Sequence, residues 1–140
     1  MTGTGTQMKR ATLRKSLALS ALATMISAQP ALSAGYVNNR ASWQSLSSEA
    51  KIGYAQAIND SLNYVFADDS LAEALGKQGR ITCLIANKIT AAQLADRISD
   101  TYKDDRYEAL APSAVYIIRM TQECRQFINK ARMDFGLAPQ

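Results

Sequence analysis

Histidine does not occur in the chain. Its absence removes the commonest general base and the commonest zinc ligand, and with them the Ser-His-Asp and Cys-His nucleophile systems. Cysteine is scarce. Cys83 and Cys124 stand 41 positions apart with no CxxC between or around them, so no thioredoxin-like redox motif exists. Gly76 and Gly79 lack the rest of a Walker or dinucleotide-binding pattern, so no phosphate loop is written in the sequence. No apolar stretch reaches the ~20 residues that a membrane-spanning helix requires. There is no internal repeat and no low-complexity tract. Nothing in the sequence points to a cofactor or a bound metal.

An excess of acidic charge is missing too, yet the basic excess is misleading. The formal net charge is +4, which on its face suggests a polyanionic partner. Four of the basic residues, Lys9, Arg10, Arg14 and Lys15, fall in the first 34 positions, where no acidic residue occurs. The remainder is electrically balanced and carries no footprint of a nucleic-acid binder.

Those first 34 positions have the three parts of a secretory leader. Lys9 to Lys15 form a cationic region, Leu17 to Ile26 a short apolar region, and Pro30 a helix break. Ala31-Leu32-Ser33 then supplies small residues for cleavage after Ser33 or Ala34. The expectation is a cleaved signal peptide over 1–34 and one small exported domain over 35–140, periplasmic or secreted. It would not associate with a membrane once the leader is gone. An even cysteine count in an exported chain favours an intramolecular disulfide between Cys83 and Cys124, against the alternative of two buried thiols.

Periodicity predicts an all-α domain of three main helices and one short one. Ser47 is the expected N-cap of a helix over Ser48–Phe66, with Ile52, Ala55, Ile58, Leu62 and Val65 at helical spacing. Trp43 and Leu46 precede it as a packing staple, after a polar start over Gly35–Arg40. Asp68-Asp69-Ser70 reads as a stop and a new cap. Leu71–Leu75 then reads as a short helix ended by Gly76 and Gly79, and Gly76–Lys88 as buried coil around the β-branched run Ile81–Ile85. Thr90-Ala91-Ala92-Gln93 is a capping box, after which Leu94, Ile98 and Tyr102 line one face. Pro112 suits the first turn of a last helix whose seam runs Ala114, Ile117, Thr121, Cys124, Ile128, Ala131 and Phe135, with Gly136 as terminator. Ala91–Lys103 and Pro112–Met133 would form a hairpin on which the first helix packs.

Asp96, Asp100 and Asp104 recur at i, i+4, i+8 beside Asp105 and Glu108. Such a face can hold a cation or a carboxylate pair, but a solvated face beside Arg97, Lys103 and Arg106 explains it more simply, because no calcium-loop pattern is present. The segment Tyr102-Lys103-Asp104-Asp105-Arg106-Tyr107-Glu108 joins two helices and combines tyrosines with mixed charge, the residue types that anchor protein partners. Tyr102, Asp104, Asp105, Arg106 and Tyr107 are the expected partner-binding residues. The rival is the stretch from Asp68 to Arg80, read as a glycine-containing loop.

Three pieces carry a family resemblance. They are Gly53-Tyr54-Ala55-Gln56-Ala57-Ile58-Asn59-Asp60; Cys83 followed by Ile89-Thr90-Ala91-Ala92-Gln93-Leu94; and Tyr102, Pro112 and Cys124 in order. In this order and spacing the stretch Gly53–Arg125 resembles the Rap/Tai family of small secreted immunity proteins, which protect bacteria from cell-wall amidase toxins delivered by type VI secretion. Ala57 stands where that family has glycine, and no cysteine falls between Trp43 and Gly53. The resemblance implies a helical, disulfide-bonded, often dimeric periplasmic protein that plugs the active site of a peptidoglycan amidase and has no catalysis of its own. Beside a purely structural periplasmic role, two other classes stay open. One is a small periplasmic stress chaperone of the acid-activated Hde type. The other is a carboxylate-dependent hydrolase using Asp100 and Asp104.

Overall fold

The computed structural model describes residues 1–2 and 36–140. The expected leader therefore lies, apart from its first two residues, outside the described residues. From residue 36 onward the chain is helical, with one disulfide. Six α-helices and one 3-10 turn occur among the described residues: α1 Arg40–Gln44, α2 Ser48–Asn63, α3 Leu71–Ala86, α4 Ala91–Thr101, the turn Asp105–Tyr107, α5 Pro112–Glu123 and α6 Arg125–Asp134. None is long and apolar enough to cross a membrane.

The helix starts follow from local chemistry. Ser47 Oγ accepts from the Ala50 amide, and Ser70 and Thr90 each build a full capping box, with Glu73 and Gln93 reaching back. Pro112 opens α5, where its missing amide costs nothing. Gly136 follows α6 with φ +76°, a left-handed conformation that suits glycine. Helix α2 is three residues shorter than its periodicity predicts. It ends at Asn63, because Tyr64 is extended and Phe66 gives its amide to the Asp69 carboxylate.

The polar start also contains a helix that periodicity does not reveal. Asn39 and Ser42 form a reciprocal capping box around α1. This short helix delivers Trp43 to the core at 1% exposure. The indole Nε1 donates to Ser99 Oγ (3.0 Å), and its ring meets Tyr54 edge to face.

The largest departure is α3. The stretch expected as a short helix followed by coil is one sixteen-residue helix. Gly76 and Gly79 do not end it. Gly79 is where α3 crosses α6: a Cβ there would sit 2.5 Å from the Ile128 Cα and 2.8 Å from its amide nitrogen. The glycine costs roughly 1 kcal/mol in helix propensity, and in exchange two backbones approach closely. The run Ile81–Ile85 that reads as extended is helical because Cys83 and Leu84 face the core.

The last helix departs as well. Of its expected seam only Cys124 and Ile128 are fully buried; α5 instead buries Pro112, Val115, Tyr116 and Met120, one position off the expected Ala114–Ile117–Thr121 line, and Phe135 is exposed. The helix is broken at Cys124, which caps α5 and precedes α6 with φ −94° and ψ 8°. The break lets α5 pack on α4 while α6 packs on α3. Helix α2 packs on α4, as expected for the first main helix on the hairpin. The core joins Trp43, Ala55, Ile58, Leu94, Ile98, Tyr102, Val115, Tyr116, Met120 and Ile128 around the disulfide.

Cys83 and Cys124 are bonded, with Cα atoms 5.5 Å apart. Cys83 lies on the buried face of α3, one turn beyond Gly79, rather than in coil ahead of α4.

Three substitutions test the crossing and its clamp, one of them a control away from both. Gly79→Ala will lower stability by about 1–3 kcal/mol through overpacking. Gly53→Ala, at a helical position with nothing within 4 Å, will raise it by about 0.5–1 kcal/mol. Urea unfolding midpoints measure both, and equal effects would overturn the crossing. Replacing both cysteines by alanine will cost about 4 kcal/mol for a loop of this length, read as the gap between unfolding curves of the variant and the oxidised chain.

Candidate functional site

The connection between α4 and α5 is held by side-chain bonds from within and from α1. Tyr102 closes α4 and turns inward; it is 1% exposed, and its hydroxyl donates to the Leu110 carbonyl (2.7 Å). The two ends of the connection are thereby tied together by a part-buried bond. Burial pushes the Tyr102 pKa up to about 12. Tyr102 is therefore not a contact surface, as its place among tyrosines and charges suggests. It belongs to the apolar face that Leu94 and Ile98 begin.

Arg40, at the start of α1, clasps the same connection from outside. Its guanidinium donates to the Tyr102 carbonyl (3.2 Å), to Asp105 Oδ1 (2.6 Å) and to Glu108 Oε2 (2.7 Å). Its own amide donates to the Glu108 carbonyl (2.9 Å). The hydrogen bond to Asp105 leads in raising the Arg40 pKa, with the charges of Asp105 and Glu108 adding to it. One arginine thus holds three points of the loop. The residue escapes sequence reading because its partners lie more than sixty positions away. The only local signal is the Asn39-x-x-Ser42 capping box that aims it.

Asp104 caps the 3-10 turn by accepting from the Arg106 amide (3.0 Å). Its carboxylate also takes the Arg106 guanidinium through Nε (2.9 Å), which holds the Asp104 pKa below and the Arg106 pKa above its ordinary value. The Arg106 guanidinium lies over the Tyr107 ring, 5.6 Å from its centre. The Arg106 side chain is nonetheless 79% exposed and that of Asp105 85%. Tyr107 is half-buried against the core. The structure thus brings Asp104, Asp105, Arg106 and Tyr107 together on one braced turn and withdraws Tyr102 beneath it.

The acidic face does not converge. Asp100 pairs with Lys103 (2.6 Å), Asp104 with Arg106, and Asp96 stands exposed. No three His, Cys, Asp or Glu side chains among the described residues are placed to hold a metal ion.

The rival segment from Asp68 to Arg80 is mostly helix α3, not a mobile loop. The real connection is Tyr64–Ser70, which exposes Tyr64, Val65 and Phe66. Tyr64 and Phe66 meet edge to face, and Lys77, paired with Asp69 (2.6 Å), lies over the Phe66 ring.

No protein-family model matches the chain, and neither does any curated protein or solved structure.

The buried hydroxyl gives a pH signature. A phenol whose folded-state pKa is near 12, against ~10 unfolded, keeps its proton longer in the native state. Its contribution to stability is intact below pH 10 and is lost as pH rises from there toward 12. A tyrosinate absorbance titration of native protein will show a late step near pH 12. Tyr102→Phe will take one tyrosine out of that late step. Loss of one tyrosine from the main step near pH ~10, with the late step intact, would place the hydroxyl in solvent.

Proposed function

We propose that this chain is an exported, non-catalytic binding protein of the immunity type. In this reading it acts in the periplasm and blocks the active-site cleft of a cell-wall-degrading enzyme with the turn Asp104–Tyr107. The observation that carries the reading is the bracing of that turn. A plug for an enzyme cleft must protrude and must lose little entropy on docking. The turn is held at its base by the Tyr102–Leu110 bond and on its flank by Arg40, while Arg106 and Asp105 point into solvent. Arginine and tyrosine are the residue types that most often dominate protein interfaces. Here the guanidinium and ring are stacked before a partner arrives.

Three further features support it. The disulfide suits an oxidising compartment. The leader-like sequence would deliver the chain there. The ordered pieces Gly53–Asp60, Cys83 followed by Ile89–Leu94, and Tyr102, Pro112 and Cys124 resemble those of the secreted immunity proteins.

The test is inhibition. A cell-wall hydrolase encoded beside this gene is assayed for peptidoglycan cleavage with and without the oxidised chain. Stoichiometric inhibition is expected. Arg106→Ala should weaken binding by more than about 1 kcal/mol without changing the unfolding midpoint, and Tyr107→Ala should weaken it as well while lowering the midpoint, because its ring packs on the core. Undiminished cleavage, or inhibition indifferent to both substitutions, would reject the turn as the plug.

A further inference from the structure

Seven cations after residue 35 take a carboxylate partner within the fold: Arg40, Lys77, Arg97, Lys103, Arg106, Arg119 and Lys130. Five do not, and three of those five, Arg80, Arg125 and Arg132, line one cleft. The first 35 residues contain no acidic side chain that might pair with them. The cleft, about 520 Å³ between α3 and α6, also has Lys77, Gly76 and Thr121 in its wall. We infer that it is a binding site for the oxyanion group, phosphate or carboxylate, of a small ligand.

Arg80 is the centre of the case. It is 9% exposed, an uncommon place for a charge without a counter-ion. Two edges of its guanidinium are fixed by neutral acceptors. Nε donates to Asn63 Oδ1 (2.8 Å) and Nη2 to the Leu62 carbonyl (3.1 Å). Nη1 makes no hydrogen bond among the described residues. A Cβ on Gly76 would sit 3.9 Å from it, and glycine there leaves the approach to Nη1 open. Burial draws the Arg80 pKa below the ordinary arginine value, although a guanidinium keeps its proton at neutral pH. The fork is therefore oriented in advance, which is what strong recognition of an oxyanion requires.

Across the cleft, Arg125 and Arg132 are two turns apart on α6, so they share a face. Arg132 is steadied by its Nε bond to the Ala138 carbonyl (2.8 Å), and Arg125 is exposed. The Thr121 hydroxyl adds a neutral donor. Two groups of opposite or mixed character share the rim. Oε2 of the Glu73 carboxylate accepts from the Ser70 amide and hydroxyl, and Gln140 is tied to Asn129. Neither forms an ion pair with the arginines. The volume exceeds what a bare inorganic ion fills and falls within the ~300–1,000 Å³ of small-molecule sites, so the oxyanion belongs to a larger ligand. A structural role for Arg80 alone would explain its bonds to α2, but not the gathering of two more unpaired arginines opposite it.

The test is a titration of the oxidised full chain by two-dimensional amide resonance spectroscopy. The probes are inorganic phosphate and citrate, with sodium chloride at matched ionic strength. Saturable shifts at Gly76, Arg80, Thr121, Arg125 and Arg132 are expected with at least one probe. The probe that binds more tightly assigns the ligand to the phosphate or the carboxylate class. Arg125→Gln/Arg132→Gln leaves the buried bonds of Arg80 untouched and should weaken binding roughly tenfold or more, the equivalent of one charge-assisted hydrogen bond. Shifts matched by chloride, or an affinity in the double variant within about threefold of the parent, less than one such bond is worth, would overturn the site.

Discussion

Everything after residue 36 is arranged around the place where α3 crosses α6. Gly79 lets the two backbones touch at Ile128, and one turn later Cys83 is bonded to Cys124. Both features lie in the fully buried centre. A close crossing fixes where two helices meet, and a covalent bond a turn away fixes the direction in which they diverge. Cys124 also marks the residue at which the chain changes partner. Up to Glu123 it packs on α4, and from Arg125 it packs on α3. A straight helix over the same residues would be about 33 Å long at 1.5 Å per residue and could not follow both neighbours. The break and the disulfide are thus one device.

A polar knot provides the second point of registration. Tyr116 on α5 donates to Asn59 Oδ1 (2.7 Å), Asn63 Nδ2 donates to the Tyr116 oxygen (2.9 Å), and Arg80 donates to Asn63 Oδ1. Three helices meet in these bonds. Buried polar atoms are costly when left unpaired, so the alignment of α2, α3 and α5 is tied to completion of the set. No buried side-chain nitrogen or oxygen among the described residues lacks a partner. Burial raises the Tyr116 pKa, partly offset by the Asn63 bond and the Arg80 charge. The hydroxyl therefore keeps its proton and can serve as both donor and acceptor.

How far the sequence reveals all this depends on the range of the interaction. Ser47, Ser70, Thr90 and Pro112 act within four residues, and each marks a helix start that the structure contains. Leu94, Ile98 and Tyr102 have the spacing of a buried face, and that face is buried. The disulfide follows from cysteine count and context. By contrast, Gly76 and Gly79 carry the local signature of a helix end. Only the presence of Ile128, forty-nine positions later, turns Gly79 into a helix-crossing residue. The β-branched run Ile81–Ile85 is overridden in the same way, by burial of Cys83 and Leu84. Arg40 clasps a loop whose carboxylates lie 65 and 68 positions away. Tyr102 shows a different limit. Its helical face argues for the core and its neighbours Asp104 and Arg106 for a surface, and the face decides because its hydroxyl finds the Leu110 carbonyl.

The braced turn and the arginine cleft stand at opposite ends of α5. Tyr102–Leu110 leads into Pro112, whereas Thr121 and the Cys124 break border the cleft. Twelve residues of helix separate the ends by about 18 Å. Coupling between two such places needs an element with two packed arrangements that both can bias. Helix α5 offers none. Val115, Tyr116 and Met120 are buried along its length, the polar knot holds its middle, and the disulfide holds its C-terminal end. A ligand that bridged Arg80 to Arg125 and Arg132 would instead reinforce the contact between α3 and α6 that the disulfide already clamps. Its effect on the fold would be mass-action stabilisation, felt most at the helix pair on which the rest of the domain is built and least at the turn that Arg40 secures by bonds of its own.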